Sequence, residues 1–111
     1  IFIRQRDNGE PMTIVGDGEQ RRDFTHVSDV VTANVLASII ENKEPVGKVL
    51  NIGTGTNHSI LEIAKLIGDN YTFIKPRLGE AQETLANIDR SKKMLGWVPS
   101  VKLEDWLEKN S

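Results

Sequence analysis

The sequence predicts an α/β protein with one domain covering residues 1–111. Short β-branched runs alternate with helical segments along the chain, which is the pattern of α/β folds. A length of 111 residues corresponds to a single domain. The predicted helix at residues 28–40 is apolar nearly all round, and such helices are normally buried on several sides. Because a chain this small has little interior to bury it, we expect a partner surface outside these residues.

Composition narrows the possible partners and compartments. The chain has 14 Lys and Arg against 16 Asp and Glu, a net charge of −2 that argues against a nucleic-acid partner. No apolar run reaches the ~20 residues of a membrane helix, and we expect no membrane partner. The absence of cysteine excludes disulfides and Cys-ligated zinc and fits a cytoplasmic location. The two histidines, His26 and His58, do not predict a metal site.

The first residues have the pattern of a helix end. Arg4 and Arg6 suit a last helical turn, and Gly9 suits the left-handed position after it. No capping residue precedes Ile1, which predicts that the chain is an excerpt of a longer protein. A frayed terminal segment is the alternative.

The next elements follow from β-branched runs, glycines and capping residues. Residues 12–15 predict a strand, closed by a turn at residues 16–18. Ser28 and Asp29 predict the N-cap of a helix that runs to about Ile40. Further predicted elements are a strand at 48–52, a turn at 53–57, a helix from a Ser59–Glu62 capping box to Ile67, and a stop at Gly68.

The last third repeats this alternation with shorter elements. The predicted elements are a β-like segment at 71–75, a loop at 76–80, a short strand at 85–88, a helix capped by Asp89 that ends at Gly96, and a final helix whose apolar face is Leu103, Trp106 and Leu107.

Two patterns resemble dehydrogenase motifs but fit poorly. Gly53-Thr54-Gly55 lies between a strand and a helix, yet His58 occupies the third small position of a dinucleotide fingerprint, so we favour a tight turn. Tyr71 and Lys75 have a catalytic Tyr-x-x-x-Lys spacing that works only on a helix. In an extended segment they lie roughly 13 Å apart, so we predict no catalytic pair.

Two charged loops suggest a phosphate site. Arg22 and Arg77 could each bind a phosphate through a planar guanidinium group, and Glu80 could accept from ribose hydroxyls. The alternative is solvated surface charge, with Arg22 paired to its neighbour Asp23. The residues alone leave both open, and composition favours the second.

The other conspicuous side chains have structural interpretations. We expect His26 to be packed or bonded within a turn and His58 to be exposed. Trp97 and Trp106 are expected in the core or at an interface, not stacked on a cofactor.

Five ordered segments together resemble the NAD-dependent epimerase/dehydratase family, the extended short-chain dehydrogenase/reductases. The segments lie at residues 11–31, 51–55, 59–64, 77–80 and 89–99 and cover nearly the whole chain. The pattern is most similar to UDP-glucose and UDP-N-acetylglucosamine 4-epimerases, while dehydratases and decarboxylases share it. The family helix that corresponds to residues 103–107 usually has a small residue where Trp106 stands.

The resemblance implies a nucleotide-sugar-binding portion without its partner half. Val15 and Gly16 would lie along the base, Arg22 and Arg77 would hold the pyrophosphate, and Glu80 would reach the ribose. The family's NAD fingerprint and catalytic residues belong to an N-terminal Rossmann portion that these residues lack. This chain would position a UDP-sugar while the absent NAD domain oxidises and reduces its C4. NAD is therefore expected in the parent enzyme, and neither bound NAD nor turnover in this chain alone.

Two other functions remain open. The chain could be a dehydratase or decarboxylase fragment, or a non-catalytic module that binds nucleotides or a partner protein. An apolar face made for a missing half could also cause self-association.

Overall fold

The computed structural model of the chain describes residues 1–41, 43 and 45–110 and has an α/β fold, as predicted. Five helices and four short strands are interspersed along these residues. In chain order they are α1 (Phe2–Asp7), β1 (Met12–Val15), β2 (Arg21–Arg22), α2 (Val27–Ile39), β3 (His58–Ser59), α3 (Ile60–Ile67), β4 (Tyr71–Ile74), α4 (Asp89–Leu95) and α5 (Leu103–Asn110).

The larger pair of strands is parallel. β1 pairs with β4 in a register that sets Met12 opposite Tyr71 and Val15 opposite Ile74. Helix α3 lies before β4 in the long connection that parallel strands require. Both carboxyl ends therefore meet at one edge of this two-stranded sheet. The smaller pair, β2 with β3, is antiparallel.

One hydrophobic cluster, here the sheet cluster, forms between this sheet and the helices. Alternate residues of β1 face it, so Met12 and Ile14 are completely buried while Thr13 and Val15 are only partly covered. Helices α3 and α5 supply the opposite wall. The buried members are Met12, Ile14, Ile63, Ala64, Ile67 and Leu107.

A second cluster, here the helix cluster, lies between α2, α4 and the loops around them. Its buried members are Ala33, Ile88, Leu95 and Trp97. The Trp97 indole Nε1 donates a 3.0 Å hydrogen bond to the backbone oxygen of Asp29 at the start of α2. The prediction that Trp97 is a core residue is therefore confirmed.

Two predicted strands do not form. Residues 48–52 and 85–88 are irregular, because neither segment has a neighbouring strand among the described residues to complete its backbone hydrogen bonds. Side chains fix them instead: the buried Ser91 hydroxyl bonds the Asn51 backbone oxygen, and the Asn51 amide nitrogen donates to the Asn87 oxygen at 3.3 Å. The apolar residues of these segments do pack against buried residues, but the segments do not pair as strands.

Helix boundaries follow the predictions with two corrections. The Ser59–Glu62 capping box is present, α3 ends at Gly68, and Gly96 ends α4 in the left-handed conformation. Helix α2, however, is capped by His26, whose Nδ1 accepts from the Ser28 backbone N–H at 3.0 Å. The turn-bonded interpretation of His26 is thus correct, and the Ser28–Asp29 cap is wrong.

The second correction concerns the start of α4. Asp89 is the first helical residue, and its backbone N–H donates to the side chain of Asn87 at 3.1 Å. Asn87, not Asp89, therefore satisfies the first free N–H of this helix.

No described residue covers the outer face of α2. This helix buries only Asp29 and Ala33, whereas Val31, Val35 and Ile39 are each more than half exposed. The radius of gyration is 16.9 Å, compared with about 13 Å for a compact domain of this length. The two clusters thus lie side by side without a common core.

Two features are absent from the described residues. None of their helices is long and apolar enough to cross a membrane. Within the same residues, no group of three or more His, Cys, Asp or Glu side chains could hold a metal ion.

Candidate functional site

A cavity of about 590 Å³ opens at the edge where β1 and β4 both end. The turn after β1 forms one wall and the loop after β4 forms the other. Ligands commonly bind outside the carboxyl ends of parallel strands, since the chain must turn there and leaves a crevice. The lining residues are Val15, Gly16, Asp17, Gln20, Phe73, Ile74, Pro76, Arg77, Glu80, Ala81 and Gln82.

Glycines let the first wall turn sharply. The Gly16 N–H donates to the Ile74 oxygen at 2.9 Å, which continues the pairing of β1 with β4 into the cavity. Gly18 has φ +75, and a Cβ there would lie 2.8 Å from the Ile14 side chain and 3.0 Å from Leu61. Any larger residue would push the turn away from α3.

Gln20 supports this wall from beneath. Its side chain is buried, and Nε2 donates to the Val15 backbone oxygen at 3.0 Å. Its own backbone oxygen accepts from the Ile60 N–H at the start of α3. Gln20 therefore links the end of β1 to α3, a role that the sequence analysis missed.

The two adjacent arginines of β2 have different partners, as expected for neighbours on opposite faces of a strand. The Arg21 guanidinium bonds the Asn57 side chain at 2.9 Å and the Glu62 carboxylate at 3.1 Å, so it is structural. The Arg22 guanidinium turns toward the cavity loop, and its Nη2 lies 3.3 Å from Glu80 Oε1. Arg22 Nη1 also donates to the Arg21 backbone oxygen.

The alternative pairing of Arg22 with Asp23 is wrong. The Asp23 carboxylate instead accepts from the backbone N–H groups of Thr54, Gly55 and Ala86 and from the Thr54 hydroxyl at 2.5 Å. Burial by itself raises the pKa of Asp23, but these hydrogen bonds outweigh it and hold the pKa below its usual value. Asp23 is thus an ionised anchor between β2 and two loops.

The same contacts explain the Gly53-Thr54-Gly55 loop. Its N–H groups at Thr54 and Gly55 point at Asp23, and a Cβ on Gly53 would lie 2.5 Å from Ala86 and 2.9 Å from the Asp23 carboxylate. The glycine is required by an internal carboxylate and a close neighbour. This arrangement fits the tight-turn interpretation and offers no free cradle for a dinucleotide phosphate.

The Tyr71–Lys75 spacing falls on a strand, as predicted. Residues Tyr71–Ile74 form β4 and Lys75 follows it directly, so the two side chains are not neighbours on one helical turn. Tyr71 packs against the sheet cluster and forms an edge-to-face contact with Phe73.

His58 differs from its prediction. It was expected to be exposed, but only 19% of its side chain is accessible, and Nε2 lies 3.2 Å from Glu104 Oε1. Nδ1 lies 3.6 Å from Glu62 Oε2. The Arg21 hydrogen bond is the main reason that the pKa of Glu62 lies below its usual value. His58 therefore lies between the N-terminal ends of α3 and α5.

Four of the five predicted site residues line the cavity: Val15, Gly16, Arg77 and Glu80. The fifth, Arg22, is not among the lining residues but contacts Glu80, which is. The sequence analysis missed Asp17, Gln20, Phe73 and the other lining residues. Recognising β1 and β4 as parallel neighbours would have indicated them, because residues just after both strands must then lie together.

The chemistry of this cavity favours an anionic, partly apolar ligand. Arg22 and Arg77 can donate to phosphate oxygens, and Glu80 can accept from hydroxyl groups. Phe73 and Ile74 give one side an apolar surface against which a ring can lie. The arrangement is suited to binding and orienting such a ligand.

Comparison with known proteins gives a consistent result. Residues 1–53 match the model of the NAD dependent epimerase/dehydratase family. The chain is 36% identical to UDP-glucuronic acid decarboxylase 1 of Xenopus tropicalis, over 97% of this chain and 26% of that protein. It is also similar to the UDP-glucose 4-epimerase of Thermotoga maritima solved with UDP-glucose, with a TM-score of 0.86 and 34% identity over 96% of this chain and 35% of that one.

A further solved structure matches in the same way. The UDP-glucuronic acid 4-epimerase of Bacillus cereus, in complex with UDP-glucuronic acid and NAD, has a TM-score of 0.88 and 34% identity. The match covers 96% of this chain and 36% of that protein. The chain thus spans about a quarter to a third of the length of the proteins it matches.

Proposed function

Because the chain belongs to the NAD-dependent epimerase/dehydratase family, we propose that it is the nucleotide-sugar-binding part of such an enzyme. Its ligand is a UDP-sugar held in the cavity at the ends of β1 and β4. The observation that carries this proposal is that Arg77 and Glu80 line one cavity while Arg22, on β2, contacts Glu80 from a position 55 residues before Arg77.

Each wall has a role in this proposal. The base lies along Val15 and Gly16, where the backbone is close and Phe73 offers an apolar surface. The two guanidinium groups of Arg22 and Arg77 form a clamp for the diphosphate, because planar donors match phosphate oxygens in pairs. Glu80 accepts hydrogen bonds from the ribose hydroxyls at the end of the clamp.

NAD is a cofactor of the family, but the residues of this chain do not fit it. The Gly53-Thr54-Gly55 loop already directs its N–H groups to Asp23, and β4 keeps Tyr71 and Lys75 apart. We assign the cofactor site and the chemistry at the sugar C4 to another part of the parent enzyme. That part corresponds to the two thirds of the related proteins that this chain does not match. The role of this chain is to orient the substrate.

Decarboxylation of a UDP-sugar acid is a second candidate. The similarity to the UDP-glucuronic acid decarboxylase of Xenopus tropicalis is as high as the similarity to the epimerases. Both reactions require the same UDP anchor, so the cavity supports the binding role in either case. The sugar-facing residues of the other portion would distinguish them.

Titration calorimetry with UDP-glucose and UDP-glucuronic acid tests the binding role. Arg77→Ala should weaken binding by about 1.5–3 kcal/mol, which is about 10- to 150-fold, because one charge-assisted phosphate contact is lost. Arg77→Lys should recover only part of the loss, since an ammonium cannot replace a planar fork. The matched control is Arg90→Ala, an exposed arginine on α4 outside the cavity. Equal effects of Arg77→Ala and Arg90→Ala would contradict the clamp.

A chimera tests the catalytic context. The matching third of the Bacillus cereus UDP-glucuronic acid 4-epimerase would be replaced by this chain. We expect 4-epimerisation of UDP-glucuronic acid above the level of the recipient portion alone, and its loss with Arg22→Ala. A folded chimera that binds NAD but no UDP-sugar would overturn the proposed role.

A further inference from the structure

The Arg22–Glu80 ion pair occupies part of the proposed diphosphate clamp. Arg22 Nη2 lies 3.3 Å from Glu80 Oε1, and Nη1 donates to the Arg21 backbone oxygen at 2.8 Å. One terminal nitrogen of the guanidinium is thus fixed by the backbone, and the other faces a carboxylate. The two side chains are 23% and 31% exposed, so the pair lies partly within the protein, where charges interact more strongly than in water.

The charges around the cavity balance. Arg77 and Arg22 provide two positive groups, and Asp17 and Glu80 provide two negative groups. A free phosphate that approaches Arg22 meets the Glu80 carboxylate at the same place, and like charges at that distance repel. The cavity therefore presents its full positive charge only when Glu80 has another partner.

Resting on the proposed function, we propose that Glu80 makes the cavity selective for a nucleoside diphosphate over free pyrophosphate. The ribose hydroxyls donate to the Glu80 carboxylate and draw it away from Arg22. The released Arg22 fork then binds the diphosphate that is attached to the same ribose. A ligand without a ribose must open the ion pair without this exchange, and it leaves a carboxylate unpaired beside its own negative charge.

This exchange gives Glu80 two opposing effects. It lowers the affinity for any phosphate that lacks a ribose, and it supports the affinity for one that has it. Discrimination built on an unfavourable contact with the wrong ligand is a general way to obtain specificity. Both side chains remain partly exposed, so solvent screens the ion pair enough for the correct ligand to open it.

The test measures the affinities of UDP and inorganic pyrophosphate for the 111-residue chain at constant ionic strength. Glu80→Gln keeps the size of the side chain and removes its charge. The control is Glu19→Gln, which removes the same charge from an exposed position in the turn after β1, outside the cavity lining. Thermal unfolding of both variants checks that the fold is retained.

We expect Glu80→Gln to raise the affinity for pyrophosphate about three- to tenfold without a gain for UDP, so that the preference for UDP falls at least threefold. Glu19→Gln should raise both affinities slightly and equally, through the general loss of negative charge. An unchanged or weaker pyrophosphate affinity in Glu80→Gln, or the same change in Glu19→Gln, would overturn the inference alone. If the unaltered chain binds neither UDP nor a UDP-sugar, the proposed function fails, and the inference fails with it.

Discussion

The sheet cluster and the helix cluster have similar sequence patterns but different structures. Both contain a β-branched run next to a capped apolar helix. In the sheet cluster the run of β1 finds β4 as its parallel neighbour, and α3 and α5 cover the strand. In the helix cluster residues 48–52 find no strand partner among the described residues, and α2 leaves one face open.

The difference shows where the stability and the site of this chain come from. A strand requires a neighbour for its N–H and C=O groups, and a helix requires a surface for its apolar side. The region of β1, β4 and α3 contains both within itself, and the cavity lies on its edge. In the helix cluster, Trp97 bonds the start of α2 at Asp29, and the described residues cover α2 on one side only.

The largest expected effect is in the sheet cluster. Ile14 is fully buried, so Ile14→Ala removes packed atoms and leaves a cavity between β1 and α3. We expect a loss of about 2–5 kcal/mol in the free energy of unfolding, measured by urea denaturation. The matched control is Ile39→Ala on α2, whose side chain is 67% exposed and should cost less than about 0.5 kcal/mol. Equal losses would show that α2 is covered in solution.

A smaller loss in the free energy of unfolding is expected where Asp29 of α2 binds residues 100–101. The buried Asp29 carboxylate accepts from the Ser100 N–H at 3.0 Å, the Ser100 hydroxyl at 2.8 Å and the Val101 N–H at 3.1 Å. Asp29→Asn removes the charge that strengthens these bonds and turns one acceptor into a donor. We expect a loss of about 1.5–3 kcal/mol by the same urea measurement. A neutral result would mean that residues 100–101 are not anchored there.

The pH dependence of stability sharpens this prediction. Burial by itself raises the pKa of Asp29, but the bonds from Ser100 and Val101 outweigh it and lower the pKa below its usual value. Between the lowered native pKa and the ordinary unfolded pKa of about 3.9, the native state therefore binds fewer protons than the unfolded state. The stability from these bonds is lost as the pH falls through the native pKa. We expect a shallower acid loss in Asp29→Asn, with the remaining slope due to Asp23 and Glu62, whose pKa values are also lowered. Curves of stability against pH that run parallel for the original chain and Asp29→Asn would contradict this prediction.

The smallest effect on stability is expected on the open face of α2. Val31→Ser and Val35→Ser change residues that are about half exposed, so each should alter the free energy of unfolding by less than about 0.5 kcal/mol. The same changes should reduce any self-association measured by light scattering, because exposed apolar area favours contact between copies. A monomer at every concentration before substitution would argue against self-association through this face.

The sequence predicted elements better than it predicted pairing. Capping residues, left-handed glycines and apolar periodicity are local signals, and they located α3, α4 and β1 correctly. Whether residues 48–52 become a strand depends on a neighbour that local patterns do not reveal. Similarly, Arg22 has one possible partner next to it in sequence, Asp23, and another next to it only in the fold, Glu80. In the structure Arg22 contacts Glu80, because Asp23 accepts hydrogen bonds from Thr54 and Gly55.

The site was predictable in its charged residues but not in its walls. The loops suggested Arg22, Arg77 and Glu80 as phosphate and ribose contacts but left solvated surface charge open. The family resemblance favoured the site and added Val15 and Gly16. Gln20 and Phe73 carry no chemical signal by themselves. They belong to the cavity because β1 and β4 end at the same edge.

Mapping the UDP-glucose contact by NMR tests the central claim most directly, namely that the β1–β4 edge binds the nucleotide and the helix cluster does not. In a titration of the isotopically labelled chain, the largest backbone shift changes should occur at Gly16, at residues 77–82 and at Arg22. The amides of α2 and the Trp97 indole should change little. Shifts that centre on the Gly53-Thr54-Gly55 loop or on α2, or no saturable shifts at the cavity, would contradict the account.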